Sequence, residues 1–246
     1  MKHLGIFSLL AFCVFLLSSI ADLLGVFMDW HILTICSKPL IVPSLALSCL
    51  LSMRKNGVPG ERIVALMLAM GFGALGDILL MFGGQSFFLA GLLAFLVGHF
   101  FYYLTIRSGY KRNASSPCLN ISLLVVLIAV TIGASLFFNV GGFLGVCVSV
   151  YACAFAFCLH ACIMAAIETK NSSYALTVTG YVLFVISDTI LATGVFTDIS
   201  IPKRGFWVML TYIAAQFLLA ASLSFERIRK STESLSKSSC GPAPIA

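Results

Sequence analysis

RIVALMLAMGFGALGDILLMF, residues 62–82, carries one charge beyond its leading arginine, at Asp77. A helix needs about 20 mostly apolar residues to cross a hydrocarbon core about 30 Å thick, and this stretch meets that length. FVISDTILAT, residues 184–193, repeats the pattern with Asp188 inside another apolar run. Reading these stretches as membrane helices decides the fold. It also raises the question of why two carboxyl groups sit where hydrocarbon is expected.

The whole chain supports a membrane setting. Its 246 residues are 60% hydrophobic and 10% charged, with a mean hydropathy of +1.07. A soluble domain carries about 25% charged residues. Eight spans are expected, at 4–24, 36–53, 62–82, 86–106, 119–138, 142–167, 174–197 and 205–225. The second is the least regular, because Lys38, Pro39 and Pro43 crowd its start. The first could be read as a signal peptide, with Ser19-Ile20-Ala21 loosely fitting a cleavage site. Its apolar run is longer than a usual signal core, which favours a retained span. The expected class is thus all-α, a polytopic membrane helix bundle of eight transmembrane helices. Residues 1–225 form one transmembrane domain, and 226–246 a polar, Ser-rich, disordered cytoplasmic tail.

Short connections, with Gly83-Gly84 and Gly141-Gly142 suited to tight turns, make sequential helices antiparallel neighbours. With eight spans, twelve basic residues (Lys2, Arg54, Lys55, Arg62, Arg107, Lys111, Arg112, Lys170, Arg227, Arg229, Lys230 and Lys237) share the side of the termini. Only Lys38, Lys203 and Arg204 fall on the other. Positive charge marks the cytoplasmic side, which places both termini there, in either an endoplasmic-reticulum or a bacterial inner membrane. The net charge of +6 is scattered between apolar runs and forms no basic stripe, so nucleic acid is excluded as a partner. LGDILLM in the third span and ISDTILA in the seventh echo each other. Two parallel four-helix halves, related by an axis along the membrane normal, would account for the echo.

An ionised carboxyl in hydrocarbon costs at least about 2.5 kcal/mol on insertion scales. Each acid must therefore turn inward to a partner or take up a proton. A lone Asp can serve as an interhelical hydrogen-bonding group that only holds the bundle. Two acids at similar depth form a candidate pair. At 1.5 Å per residue, Asp77 lies about 22 Å beyond Arg62 and Asp188 about 21 Å beyond Tyr174. Close carboxyls share one negative charge, which yields a proton donor beside a carboxylate base, the minimum for acid–base hydrolysis.

Other polar groups are fewer. Lys38 and Asp22 are expected near the outer boundary, where a span-end residue snorkels; Lys38 could instead neutralise a carboxylate or bind a phosphate. Gly73, one turn before Asp77 on its face, leaves room for a neighbouring backbone or a ligand. Tyr181 and Phe184 share the face of Asp188 and either line an apolar channel or pack in the core. His99 and Gln216 lie about 10 Å deeper than the acids, too far for direct contact between straight helices. Tyr102, Tyr103 and Tyr212 hydrogen-bond within the bundle or join an aromatic belt. Lys38, Gly73, His99, Tyr102, Tyr181, Tyr212 and Gln216 are the candidate substrate-binding residues around the catalytic candidates Asp77 and Asp188. Nine cysteines form no C-x-x-C, the four histidines form no H-x-x-x-H, and no G-x-S-x-G occurs. No metal site and no cofactor are expected.

Several motifs in order carry a family resemblance. SKPLIVP (37–43), GDILLM (76–81), GLLAFLVGHFFY (91–102), FVISDTILA (184–192) and MLTYIAAQ (209–216) resemble the YhhN-type lysoplasmalogenase family of eight-span membrane hydrolases. The resemblance covers roughly residues 30 to 225. It implies hydrolysis of the vinyl ether bond of lysoplasmalogens to a fatty aldehyde and glycerophosphocholine or -ethanolamine. It associates two aspartates with that reaction, which fall on Asp77 and Asp188. It implies a lysophospholipid substrate, membrane lipids as surroundings and no cofactor; oligomeric state stays open. The competing reading from the residues is a proton-coupled small-molecule or lipid transporter that uses the same aspartates as a relay. Broken helices at mid-membrane would favour it.

Overall fold

The computed structural model describes residues 2–109 and 117–238, with side chains from 4–109 and 118–224. Eight helices follow one another: α1 Lys2–Phe27, α2 His31–Lys55, α3 Gly60–Met81, α4 Gln85–Gly109, α5 Pro117–Phe138, α6 Gly142–Thr169, α7 Ser172–Phe196 and α8 Arg204–Ser238. All eight contain a stretch long and apolar enough to cross a membrane. The protein is a polytopic membrane helix bundle.

The hairpins follow from the turn residues. Gly83 and Gly84, at φ +67° and +82°, reverse the chain between α3 and α4 in a conformation that costs a glycine little. Asn139 and Gly142 do the same between α5 and α6, at φ +46° and +66°. Below, the near end of the bundle is the end where α1 begins; the turns at 28–30, 82–84 and 139–141 and the loop at 197–203 lie at the far end. There Lys203 Nζ donates to Asp29 Oδ2 at 2.8 Å, tying the α1–α2 turn to the α7–α8 loop. That hydrogen bond holds the exposed Asp29 carboxyl below the usual carboxylate range.

Two boundaries differ from the sequence expectation. α2 begins at His31, five residues earlier than expected, so Pro39 and Pro43 lie inside an unbroken helix. Apolar residues before the prolines extend the helix toward the far end, and membrane helices accommodate proline when neighbours satisfy the freed backbone. α8 runs to Ser238, so position 226 marks the end of the span and not of the helix. Residues 239–246, which include the GPAPIA end, lie outside the described residues, as do Lys111 and Arg112 of the charge count.

Helix pairing follows a pattern. α1 packs on α2 as α5 packs on α6, α3 on α4 as α7 on α8, and α2 on α3 as α6 on α7. α2 meets α8 as α6 meets α4. Exchanging the first four helices for the last four maps these pairs onto one another. α1 breaks the correspondence by packing also against α8; α5 has no comparable contact with α4 among the described residues and touches α7 lightly. No described residue of α5 is fully buried.

Small residues set the closest approach. A Cβ at Gly98 on α4 would lie 3.1 Å from the Ala69 carbonyl oxygen and 3.5 Å from the Gly73 nitrogen, both α3 backbone atoms. Backbone cannot yield as a side chain can. Gly98→Val is expected to force α3 and α4 apart and to cost about 1–3 kcal/mol, read as a lowered midpoint of thermal unfolding in detergent. An unchanged midpoint would show that the α3–α4 contact carries no such constraint.

Candidate active site

α3 brings Asp77 to the inner face of the bundle. The carboxyl lies four residues before Met81, about 6 Å from the far end of its helix, and is 6% exposed. Tyr212 of α8 donates to Asp77 Oδ2 at 2.6 Å. Gln216 Nε2 donates to the Tyr212 oxygen at 3.0 Å, and Tyr102 of α4 donates to Gln216 Oε1 at 2.8 Å. A chain of donors thus runs from α4 through α8 and ends on the acid. Such a chain polarises each member and strengthens the last bond. Gly73 makes room for it, since a Cβ there would lie 3.5 Å from Gln216 Nε2.

α7 brings in Asp188. Ser187 is buried and donates to the Val208 carbonyl of α8 at 3.0 Å. That bond fixes the rotation of α7, so that the next residue faces the bundle interior. Tyr151 of α6 donates to Asp188 Oδ2 at 2.5 Å. Asp188 lies eight residues before Phe196, about 12 Å from the far end. The two acids are therefore about one helical turn apart relative to their helix ends, less closely matched than the sequence estimate.

Both acids open on one cavity of about 440 Å³. Lys38, Asp77, Tyr212, Tyr151 and Asp188 line it. Most of the remaining wall is apolar, from Leu92 and Phe95 on α4 to Leu127 on α5, Leu159 on α6 and Val195 on α7. Asp188 is within electrostatic reach of Asp77. A shared cavity and inward-facing carboxyls thus coincide.

The seven binding candidates divide. Lys38 and Tyr212 line the cavity; Gly73, His99, Tyr102, Tyr181 and Gln216 are buried behind its wall and do not. His99 and Gln216 make no direct contact with the acids, and the phenol of Tyr212 spans the gap for Gln216. The His99 ring packs among Phe155, Phe184 and Tyr181, at centroid distances of 4.3, 5.1 and 5.9 Å. Tyr181 and Phe184 are thus core residues and not channel lining. Among the described residues no three His, Cys, Asp or Glu side chains come together as metal ligands would.

Lys38 and Asp22 correct the boundary reading. With α2 starting at His31, Lys38 lies seven residues in, about 10 Å from the far end. It is half-buried and faces the cavity. Asp22 does not snorkel: it is fully buried. Ser37 Oγ lies 3.4 Å from Asp22 Oδ1, but its one proton has a closer acceptor in the Leu33 carbonyl at 2.7 Å. Asp22 Oδ2 has no hydrogen-bond partner. Lys38 is within electrostatic reach of both Asp22 and Asp77.

Sequence reasoning passed over Tyr151. A tyrosine amid apolar residues of a span reads as packing, and only an acid at the same distance from the far end on a neighbouring helix marks it otherwise. Tyr151 lies nine residues into α6 from that end, and Asp188 eight into α7.

The model of the YhhN family matches residues 33–223. Lysoplasmalogenase TMEM86A of Bos taurus is 30% identical over 155 residues, which span 61% of this chain and 61% of that protein. No solved structure matches the chain. The family match runs from the start of α2 to the end of the apolar part of α8 and so takes in every residue named at the cavity, from Lys38 to Tyr212: the chain belongs to the YhhN family.

Proposed function

We propose that the protein is a membrane-embedded lysoplasmalogenase, hydrolysing the vinyl ether of a lysoplasmalogen to a fatty aldehyde and glycerophosphocholine or -ethanolamine. The observation that carries this reading is the pair of carboxyls, Asp77 and Asp188, on one largely apolar cavity inside a membrane bundle, each held by a tyrosine. Membership of the family and likeness to a bovine lysoplasmalogenase support the substrate class.

The chemistry asks for little more than such a pair. One carboxylic acid transfers its proton to the β-carbon of the vinyl ether, and the C=C electrons form the new C–H bond. The α-carbon and ether oxygen then share an oxocarbenium charge, as in glycosidases. The carboxylate left beside it stabilises that charge. The second carboxylate accepts a proton from water as its oxygen bonds to the α-carbon. The resulting hemiacetal expels the glycerol oxygen as an alcohol and leaves the aldehyde. One water is consumed and the protons return to the pair. Tyr151 and Tyr212 fix the carboxyl orientations, which a proton transfer over hydrogen-bond distance requires. Lys38, half-buried and lining the cavity, would meet the phosphate of the headgroup; its position on the cavity wall supports this role. With both termini cytoplasmic, the far end faces the outer or lumenal leaflet, and the substrate comes from there.

The transporter reading loses its one hint. Its signature would be a helix broken at mid-membrane, and α2 passes through Pro39 and Pro43 without a break.

Purified protein incubated with a lysoplasmalogen and with its saturated-ether analogue is expected to release aldehyde from the first alone; release from neither would overturn the reading. Asp77→Asn and Asp188→Asn keep hydrogen-bonding capacity and are each expected to lower kcat by about 10²–10⁴-fold in folded protein. Wild-type turnover in either would remove that residue from the chemistry. Tyr151→Phe removes a bond to an acid worth about 1.5–3 kcal/mol if ionised, so kcat is expected to fall by about 10- to 100-fold. Lys38→Glu is expected to raise KM more than it lowers kcat, and an unchanged KM would exclude a headgroup role.

A further inference from the structure

The cavity is polarised from one side of the bundle to the other. Lys38, Asp77 and Tyr212 line it from α2, α3 and α8, whereas the α5 wall is apolar but for two hydroxyls. At its far end Phe196 of α7 meets Phe88 of α4 edge-on at 5.8 Å and Phe138 of α5 at 6.4 Å. All three line the cavity, so this aromatic cluster roofs it toward the far aqueous face.

The open side is lateral. Val130, on the α5 wall, is 65% exposed, and Val195, on the α7 wall, 48%. Ala134 and Thr189 line the cavity from the same two helices and are exposed as well. Residues that belong at once to a cavity and to the lipid-facing surface mark its mouth. α5 and α7 touch only lightly there, and α5 lacks the second packing partner that seals its counterpart α1 against α8. From the roof, the wall descends to Leu127, eleven residues before the end of α5 and about 16 Å toward mid-membrane.

We propose that the α5–α7 seam is a lateral portal for a single-chain phospholipid, with the headgroup drawn inward to Lys38 and the hydrocarbon tail lying along α5 toward Leu127 and Leu159. Charge decides which end goes in, because the ammonium stands at the inner end and the seam is apolar. The occupant carries one chain, as the lysolipid reading requires. α5, having no fully buried residue, is the wall that yields as the lipid passes. The proposal rests on the lysolipid reading for its ligand but not on catalysis.

The test uses an ether-linked lysophosphatidylcholine that cannot be cleaved, with a photoreactive diazirine at the chain end, bound to full-length protein in nanodiscs. Labelled peptides are expected to concentrate on residues 127–138 of α5 and around Leu159, with excess unlabelled lysolipid competing the label away. Ala134→Trp, on an exposed seam position, is expected to lower that labelling at least tenfold without lowering the thermal midpoint. Label spread evenly over the lipid-facing surfaces of α1 and α5, and not competed, would overturn the portal. Aldehyde release is scored in parallel on the unmodified protein. Competed seam labelling without cleavage would sink the hydrolase reading alone, and cleavage with label elsewhere would sink the portal alone.

Discussion

The structure is organised around keeping two carboxyl groups inside a bilayer protein. An unpaired polar group out of water is costly, and hydrocarbon offers no relief. Asp77 meets that cost with a phenol from α8, itself backed by Gln216 and Tyr102. Asp188 meets it with a phenol from α6. These bonds join α3 to α8 and α7 to α6, so the acids pin helices from both halves of the chain around one cavity. Glycines that let α3 and α4 meet at backbone distance bring the rest of the wall into place.

The departure from twofold pairing gives that cavity its shape. α1 closes its side of the bundle by packing on both α2 and α8. α5 occupies the corresponding place in the second half but leans mainly on α6 and touches α7 only lightly among the described residues, and the space it leaves is apolar and open to lipid. The asymmetry extends to the acids. Asp77 is buried and near a lysine, whereas Asp188 is half-buried on the side of the open seam. A substrate reaching in from the seam meets Asp188 on its way to Asp77 and Lys38.

Much of this was readable from the residues. Eight spans follow from length and hydropathy, and the glycine turns from the need for left-handed backbone. The two acids stand out because charge in a span is expensive. What was unreadable depends on helix ends and rotation. Starting the second span at residue 36 put Lys38 at its boundary, while the apolar residues before it carry the helix five residues further and draw Lys38 inward. Asp22 read as a span-end residue, yet it is fully buried. Tyr151 carried no signal, because a phenol in a span serves packing and hydrogen bonding equally well. Gly73, His99, Tyr102, Tyr181 and Gln216 were expected to bind substrate and lie off the cavity instead, because whether a residue within a span faces a cavity or supports its wall depends on helix rotation, which spacing alone does not give.

The claim beneath the account is that Asp77 and Asp188 work as one unit. A double-mutant cycle on aldehyde release, comparing Asp77→Asn, Asp188→Asn and the combined variant in folded protein, tests it directly. Groups that act together lose their effect together, so the combined variant should be no slower than the worse single one. Losses that multiply, the double variant slower than either by the full product, would mean that the two acids act independently and would contradict the account.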